Sequence, residues 1–229
     1  MTSEEFGRLR ERLSDPLLTA LTIMLAALMF LVGPLQATGV VAAHHFGMVF
    51  GVLLVAAVFV VSGSAVALAT TVAALGLIMI STVLRLREPS LLNIYLDATA
   101  WLLAGITLSI VVARAVFAPG RVTFHRVIGA VLLYLTIGLN FMALFCFLAL
   151  QSPAAFAGFP PLQDDLQVAA NLFYFSFVTL TSTGYGDIAP VHPVARGLAN
   201  LEAIIGQLYP ATLLARLVTL ELEHRRDDA

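Results

Sequence analysis

A seven-residue segment in the last quarter of the chain, Thr181 to Asp187, combines residue types that can do chemistry. It reads Thr-Ser-Thr-Gly-Tyr-Gly-Asp and places three aliphatic hydroxyls, two glycines and a carboxylate close together. Glycine reaches left-handed backbone conformations without the penalty of a Cβ atom, so Gly184 and Gly186 are positions where the backbone can leave ordinary β geometry. Such a departure lets carbonyl oxygens of consecutive residues point the same way. We therefore expect this segment to present a row of oxygen atoms.

The rest of the chain is too apolar for a water-soluble protein. Of its 229 residues, 60% are hydrophobic and only 11% are charged, whereas soluble domains carry about 25% charged residues. The net charge of -2 gives no basic surface for nucleic acid, and the single cysteine, Cys146, cannot form an intrachain disulfide. The sequence offers no Ser-His-Asp set, metal-ligand cluster or phosphate-binding loop. The composition therefore predicts an integral membrane protein that is not an enzyme and has no cofactor.

The apolar runs predict six transmembrane helices. Residues 16–84 contain no Asp, Glu, Lys or Arg, and turn signals at Gly33-Pro34 and Ser62-Gly63-Ser64 divide this stretch into three spans. The predicted helices cover residues 17–33, 41–61, 65–84, 92–117, 127–150 and 194–220. The expected fold class is an all-α membrane protein.

A seventh apolar stretch, Leu166 to Leu180, predicts a helix too short to cross a bilayer. The polar segment from Thr181 to Asp187 follows it directly. Non-helical backbone at membrane depth is tolerated only where protein buries it or water bathes it. The pair is therefore either a re-entrant pore element or an external loop with a turn at its glycines.

The segment from Thr181 to Asp187 resembles the selectivity-filter signature of potassium channels. The resemblance extends to the short helix before it and to Gly206, which follows Gly186 by twenty residues as the hinge glycine does in that family. It covers about residues 134–220, whereas the first 118 residues resemble the six-transmembrane, one-pore-loop members only in the number and order of helices. It implies a tetramer in which each chain adds a re-entrant pore helix and a filter.

The resemblance also implies roles for individual residues. The filter is Ser182 to Gly186; the carbonyls of Ser182, Thr183, Gly184 and Tyr185 would bind potassium, and the Ser182 hydroxyl would complete the innermost site. Serine stands here where the family usually has threonine, and Thr183 stands where valine or isoleucine is commonest. These two departures bear on the rate and strictness of selection more than on the type of ion. Potassium enters as the permeant species and not as a cofactor.

Other residues are expected to support the filter. Tyr185 would point away from the pore into a cuff formed by Tyr174 and Phe175, with ordinary aromatic packing as the alternative. Asp187 would lie at the outer mouth, where a carboxylate raises the local cation concentration; a solvated turn aspartate is the alternative. Val178 occupies the position where some members carry a glutamate bonded to that aspartate, so this clamp is absent here.

The last helix carries a carboxylate and two residues that could bend it. Glu202 is expected to accept hydrogen bonds from the back of the short helix, from Thr179 or Thr181, with direct ion coordination as the alternative. Pro210 cannot donate to the carbonyl of Gly206, so a kink is expected between them. That kink could be a hinge at a gate or a static bend.

The first four helices lack the arginines of a voltage sensor. The fourth contains only Asp97 and Arg114 as charged residues, and one arginine cannot supply the tens of kcal/mol that steep voltage dependence requires. We therefore expect weak or absent voltage gating. Asp97 is expected to pair with Arg85 or Arg87.

Arginine counts predict the orientation in a cell membrane, with both termini cytoplasmic. Nine arginines (Arg8, Arg10, Arg12, Arg114, Arg121, Arg126, Arg216, Arg225 and Arg226) would be inside and three (Arg85, Arg87 and Arg196) outside. The expected domains are an N-terminal segment 1–15, a voltage-sensor-like domain 16–118, a pore domain 119–220 and a short cytoplasmic tail 221–229.

One filter segment cannot enclose an ion, so the resemblance implies a homotetramer surrounded by lipid. The sequence does not identify any accessory or regulatory subunit. Two alternatives stay open: a less selective cation channel, and a non-conducting accessory subunit of another channel.

Overall fold

The computed structural model describes residues 16–32, 44–62, 64–88, 90–117, 124–160 and 166–227. The predicted N-terminal segment, the predicted domain boundary at residues 118 and 119, and the arginines at positions 8, 10, 12 and 121 lie outside these residues. The helices are α1 (Pro16–Leu31, whose end is a π-helical turn, Leu28–Val32), α2 (His44–Ser62), α3 (Ala65–Arg87), α4 (Leu91–Val116), α5 (Phe124–Gln151), α6 (Leu166–Leu180) and α7 (Pro193–Asp227).

Three of the described helices are long and apolar enough to cross a membrane: Ala65–Arg87, Leu91–Val116 and Arg126–Gln151. Six spans remain a prediction. The expected short helix is observed at Leu166–Leu180, the predicted bounds. The last helix is longer than expected, since it continues past Leu220 to Asp227.

Local chemistry explains where the third helix begins and ends. Ser64 is extended, and its hydroxyl accepts a hydrogen bond from the backbone N–H of Ala67, which satisfies one of the free donors of the first turn. At the other end Arg85 and Arg87 lie in the last turn, where a positive charge is favourable for the helix dipole. Helix α2 thus ends at Ser62 and α3 begins at Ala65, as the turn signal predicts.

The core that positions the short helix α6 is built from aromatic side chains. Phe175 of α6 packs edge-on against Phe145 of α5, with ring centroids 4.9 Å apart. It also packs against Phe156, in the connection between α5 and α6, at 5.2 Å. Phe145 and Phe175 are both buried. These contacts hold α6 between α5 and the chain that follows α5.

A two-stranded antiparallel ribbon, absent from the sequence predictions, connects the chain before α6 with the chain after segment 181–187. Its strands are β1 (Phe156–Ala157) and β2 (Ala189–Pro190), with Phe156 opposite Pro190. The backbone N–H groups of Val191 and His192 both donate to the carbonyl of Ala155. The ribbon therefore fixes where segment 181–187 ends.

Candidate functional site

Segment 181–187 has positive φ at every second residue. The angles are 54° at Ser182, 61° at Gly184 and 79° at Gly186. Thr183 and Tyr185, which alternate with them in the described chain, keep negative φ. The glycine conformations agree with the sequence prediction, whereas the left-handed Ser182 was not predicted. In an extended strand, successive carbonyl groups point in alternating directions. When every second residue has positive φ and the residues between have negative φ, the carbonyl groups instead point toward one side.

The start of this segment is anchored on the last turn of α6. The backbone N–H of Ser182 donates to the carbonyl of Thr179, and that of Thr183 donates to Val178, both at 2.9 Å. The Thr181 hydroxyl donates to the Phe177 carbonyl at 2.7 Å and lies 2.8 Å from the Thr183 hydroxyl. Carbonyls that a helix end leaves without partners are thus satisfied by the segment itself.

The opposite end of the segment is held by Tyr174. Its hydroxyl donates to Asp187 Oδ1 at 3.0 Å, and its ring stacks on that of Tyr185, with centroids 6.3 Å apart and planes inclined by 1°. The Tyr174 half of the predicted cuff is therefore present within one chain. Although Val178 removes the glutamate clamp of some potassium channels, Asp187 has a different partner on the same helix.

The Phe175 half of the predicted cuff is not observed within one chain and stays a prediction. Phe175 lies in the core against Phe145 and Phe156 and is buried, while Tyr185 is 71% exposed. Consecutive residues of a helix point about 100° apart, and within one chain Tyr174 faces segment 181–187 while Phe175 faces the core. Within one chain Phe175 supports α6 from behind.

Gly158, next to the first strand of the connecting ribbon, packs directly against the end of segment 181–187. Its φ is +74°, and a Cβ atom built there would overlap the carbonyl oxygen of Asp187. Any other residue at position 158 would have to displace this carbonyl. The position of Asp187 is thus set from two sides, by Tyr174 and by Gly158.

Glu202 contacts α6, but through Ser176 and not through the expected Thr179 or Thr181. The Thr179 and Thr181 hydroxyls instead donate to backbone carbonyls one turn earlier in the chain. Ser176 Oγ lies 2.5 Å from Glu202 Oε1 and 2.8 Å from the carbonyl oxygen of Gly138 on α5. Ser176 and Glu202 are both fully buried. Three helices therefore meet at one hydroxyl.

The Ser176 hydroxyl has too few protons to donate to both of its neighbours, and this indicates the charge of Glu202. Ser176 has one proton and two neighbouring acceptors, so it can donate to only one of them. Burying an ionised carboxylate without a cation costs several kcal/mol, and among the described residues no salt bridge to Glu202 is found. The geometry fits a neutral carboxylic acid that donates to Ser176 Oγ, while Ser176 donates to Gly138. Direct ion coordination by Glu202 does not fit this buried position.

At Gly206, α7 makes a close contact with the end of α6. A Cβ at this position would overlap the carbonyl oxygen of Leu180, the last residue of α6. The helix continues through both Gly206 and Pro210. A hinge at these residues stays a prediction, but the structure gives Gly206 a second reason to be glycine.

Three polar residues near the site were not singled out in the sequence. Gln207 Nε2 donates to Ser182 Oγ at 3.0 Å, so α7 contacts the segment through the residue next to Gly206. The Tyr209 hydroxyl donates to the carbonyl of Ala130 on α5 at 2.8 Å, and Tyr134 stacks on Tyr209. Gln207 could have been noticed as an amide side chain next to Gly206, but its partner lies 25 residues away in the chain.

Each end of α4 makes a contact through an arginine, and one of the two arginines lies on α7. At one end Arg85 donates to Asp97 at 2.7 Å, which confirms one of the two predicted pairings. At the other end Arg216 of α7 donates to the carbonyl of Phe117 at 3.1 Å and lies over its ring, 4.8 Å from the centroid. The end of α4 is thus connected directly to α7.

All of segment 181–187 is exposed in the isolated chain. Exposed apolar residues of α7, among them Leu201, Ile204 and Leu208, lie downstream of it. Polar, non-helical backbone cannot face lipid, because hydrocarbon offers no hydrogen-bond partners. The segment must therefore face water or another protein surface. No cluster of three or more metal-ligating side chains was found among the residues that the structure describes.

Comparison with known proteins agrees with this geometry. Residues 162–222 match the family described as "Ion channel". "Protein LctB" of Bacillus caldotenax is 35% identical over 94 residues, which are 40% of this chain and 69% of the relative. "Protein LctB" of Geobacillus stearothermophilus is 37% identical over 67 residues, which are 29% of this chain and 46% of that relative.

The chain therefore spans about two thirds of the first relative and less than half of the second. The name of these relatives states no activity. No solved structure matches the chain. The family match contains α6, segment 181–187 and the part of α7 that packs against them. The chain thus belongs to the ion channel family, within the potassium channel superfamily.

Proposed function

We propose that four copies of this chain form a potassium-selective channel, with segment 181–187 as the selectivity filter on the four-fold axis. The observation that carries the proposal is the alternation of positive φ at Ser182, Gly184 and Gly186. It supports a row of carbonyl oxygens on one side of the backbone. Four such rows form stacked cages that replace the hydration shell of a potassium ion.

The exposure of the segment supports the tetramer. One chain leaves the filter open on one side, and a closed ring of identical copies covers it while leaving water on the axis. The C-terminal end of α6 points its partial negative charge toward the water-filled cavity below, which favours a cation.

The proposed orientation has both termini in the cytoplasm of a cell membrane. The inner ends of α4 and α7 then meet at Phe117 and Arg216, on the side where most arginines lie. Arg85 and Asp97 line the same cavity as Tyr174, which is consistent with their predicted position at the outer side.

Gating is proposed to be weakly dependent on voltage, since α4 carries only Arg114 and Asp97 as charged residues. Gating occurs at the filter or at the bend between Gly206 and Pro210. The contact between Arg216 and Phe117 connects the first four helices to α7, the helix that contains this bend.

A second candidate is a less selective cation channel. It is favoured by Ser182, which lacks the methyl group that restricts the hydroxyl of threonine, and by Thr183, which brings a further hydroxyl behind the filter. The third possibility, a silent accessory subunit, would conduct no ions when reconstituted alone.

One experiment separates the three. The purified protein is reconstituted in liposomes, and potassium and sodium fluxes are compared with and without barium. We expect potassium flux that exceeds sodium flux and that barium inhibits. Equal fluxes of the two ions would establish the loose cation channel, and absence of flux from a correctly assembled protein would contradict a conducting channel. Gly184→Ala, which forces a Cβ into a left-handed position, is the negative control.

A further inference from the structure

We propose that Gln207 is a positioning residue for ion selection: its side-chain amide holds the Ser182 hydroxyl in the orientation that binds the permeant cation at the inner end of the filter. The inference rests on the proposed function and deepens it. It assigns a role to a residue of α7 that lies outside the filter sequence. The cation it concerns is a monovalent alkali ion or a divalent ion of similar size, such as barium.

The contact joins the two elements that meet below the filter. Gln207 Nε2 lies 3.0 Å from Ser182 Oγ. Gly206, the preceding residue, allows α7 to approach until a Cβ would overlap the Leu180 carbonyl. Because of that close approach, the next side chain can reach the first filter residue with a direct hydrogen bond.

Ser182 is the filter residue that most needs an external partner. It is the one non-glycine residue with positive φ in the described chain, at 54°. Its side chain lacks the β-branch that leaves threonine few rotamers, so the backbone alone does not fix the direction of the hydroxyl. A hydrogen bond from Gln207 removes this freedom.

The geometry of a hydroxyl makes this hydrogen bond compatible with ion binding. A serine oxygen has two lone pairs and one proton. When the Gln207 amide donates to one lone pair, the second lone pair is free for the cation and the proton turns away from both. Without the hydrogen bond from Gln207, the Ser182 hydroxyl can turn its proton toward the cation, which weakens cation binding at the inner end of the filter.

The alternative is that Gln207 is a polar residue solvated in the cavity, whose contact with Ser182 has no consequence for selection. The two views differ in one property. If Gln207 acts through Ser182, a residue at position 182 that orients its own hydroxyl makes Gln207 dispensable. If Gln207 acts by its own dipole or volume, position 182 has no influence on the effect of replacing it.

The test is a double-mutant cycle in proteoliposomes, with barium inhibition of potassium flux and the potassium-to-sodium flux ratio as readouts. Gln207→Met keeps the length of the side chain and removes the amide. We expect the barium concentration for half-inhibition to rise about two- to tenfold, the change expected for one hydrogen bond, and the flux ratio to fall. Ser182→Thr, combined with Gln207→Met, is expected to restore both values, because the γ-methyl group of threonine restricts χ1 and so fixes the position of the hydroxyl oxygen without Gln207.

Two further variants keep the result interpretable. Gln207→Asn retains the amide but is one methylene shorter, and we expect the same loss as for Gln207→Met. Either variant can therefore be used if the other does not assemble. Thr212→Val is the matched control on the same helix, since the Thr212 hydroxyl donates to the Leu208 carbonyl of its own helix; we expect unchanged inhibition.

The outcomes separate this inference from the proposed function. If the wild type conducts potassium selectively and Gln207→Met is inhibited by barium as the wild type is, the inference is wrong and the proposed function stands. If Gln207→Met changes inhibition but Ser182→Thr does not restore it, Gln207 does not act through Ser182, which also overturns the inference. If the wild type conducts no potassium, the proposed function itself fails.

Discussion

Replacing Gly206 by alanine tests whether this residue is required for close packing or for bending. A Cβ at position 206 would overlap the Leu180 carbonyl oxygen, which is a backbone atom and cannot rotate away. Overpacking of a tight contact costs about 1–3 kcal/mol. Alanine is otherwise the better helix former, by up to about 1 kcal/mol. If Gly206 is required for close packing, Gly206→Ala lowers the stability. If Gly206 is required only for bending, Gly206→Ala raises it.

We expect Gly206→Ala to lower the midpoint of thermal unfolding by up to about 12 °C, since the overpacking outweighs the gain in helix propensity and 1 kcal/mol shifts the Tm of a chain of this size by about 2–4 °C. The matched control is Gly197→Ala on the same helix, where a Cβ would meet no atom within 4 Å. This control is expected to leave the Tm unchanged or to raise it by up to about 4 °C.

The assay uses the protein in detergent and follows the fluorescence of Trp101, the single tryptophan, which lies on α4. Circular dichroism of the helices is a second readout of the same transition. A rise in Tm for Gly206→Ala equal to that of Gly197→Ala would refute the packing argument and leave the hinge as the reason for this glycine. A fall in Tm together with lost potassium flux would indicate that the displaced Leu180 carbonyl disturbs the start of the filter.

Four other outcomes follow from the same contacts. Glu202→Gln keeps a donor for the buried hydroxyl beside it and should leave the Tm near that of the wild type, whereas Glu202→Ala should lower it by about 2–12 °C, because losing a buried hydrogen-bond partner costs about 1–3 kcal/mol; equal Tm values for the two variants would contradict the neutral-acid geometry. Tyr174→Phe removes the hydrogen bond to Asp187 and should reduce steady potassium flux without changing assembly; unchanged single-channel currents would show that this bond does not hold the filter. Gly184→Ala should abolish potassium flux with tetramers intact on size exclusion, and selective flux in this variant would count against the filter assignment. Conductance measured in planar bilayers should change little with voltage, and a steep sigmoidal curve with several gating charges would contradict the reading of α4.

The sequence allowed the local elements of the site to be predicted. The bounds of α6, the left-handed glycines at 184 and 186 and the pairing of Asp97 with an arginine at the end of α3 all follow from patterns within a few tens of residues. Hydrophobic run length and glycine chemistry suffice for these predictions.

The partners that cross between helices could not be predicted in the same way. The sequence does not single out Ser176, because Thr179 and Thr181 near the end of α6 are equally plausible partners for Glu202, and only the rotation of α6 about its axis decides among the three. The hydrogen bond from Gln207 depends on how closely α7 approaches α6, a distance that no sequence pattern encodes. The ribbon at Phe156–Ala157 and Ala189–Pro190 is two residues long on each side, too short to produce a strand signal.

Phe175 shows why neighbouring aromatic residues are difficult to assign. Tyr174 and Phe175 are adjacent and both aromatic. The hydroxyl of Tyr174 donates a hydrogen bond to Asp187 at the exposed end of the segment, whereas the wholly apolar Phe175 is buried. The polarity of the ring, together with the 100° between adjacent helical residues, decides which of them contacts Tyr185 within one chain.

In the channel that we propose, carbonyl oxygens from four identical chains bind dehydrated monovalent cations on a symmetry axis. The most direct test of this arrangement is a diffraction experiment on the assembled protein in which thallium replaces potassium. We expect anomalous peaks on a four-fold axis, spaced between successive carbonyl layers from Ser182 to Tyr185. An assembly that leaves these residues away from any rotation axis, or a four-fold axis without cation peaks at these layers, would contradict it.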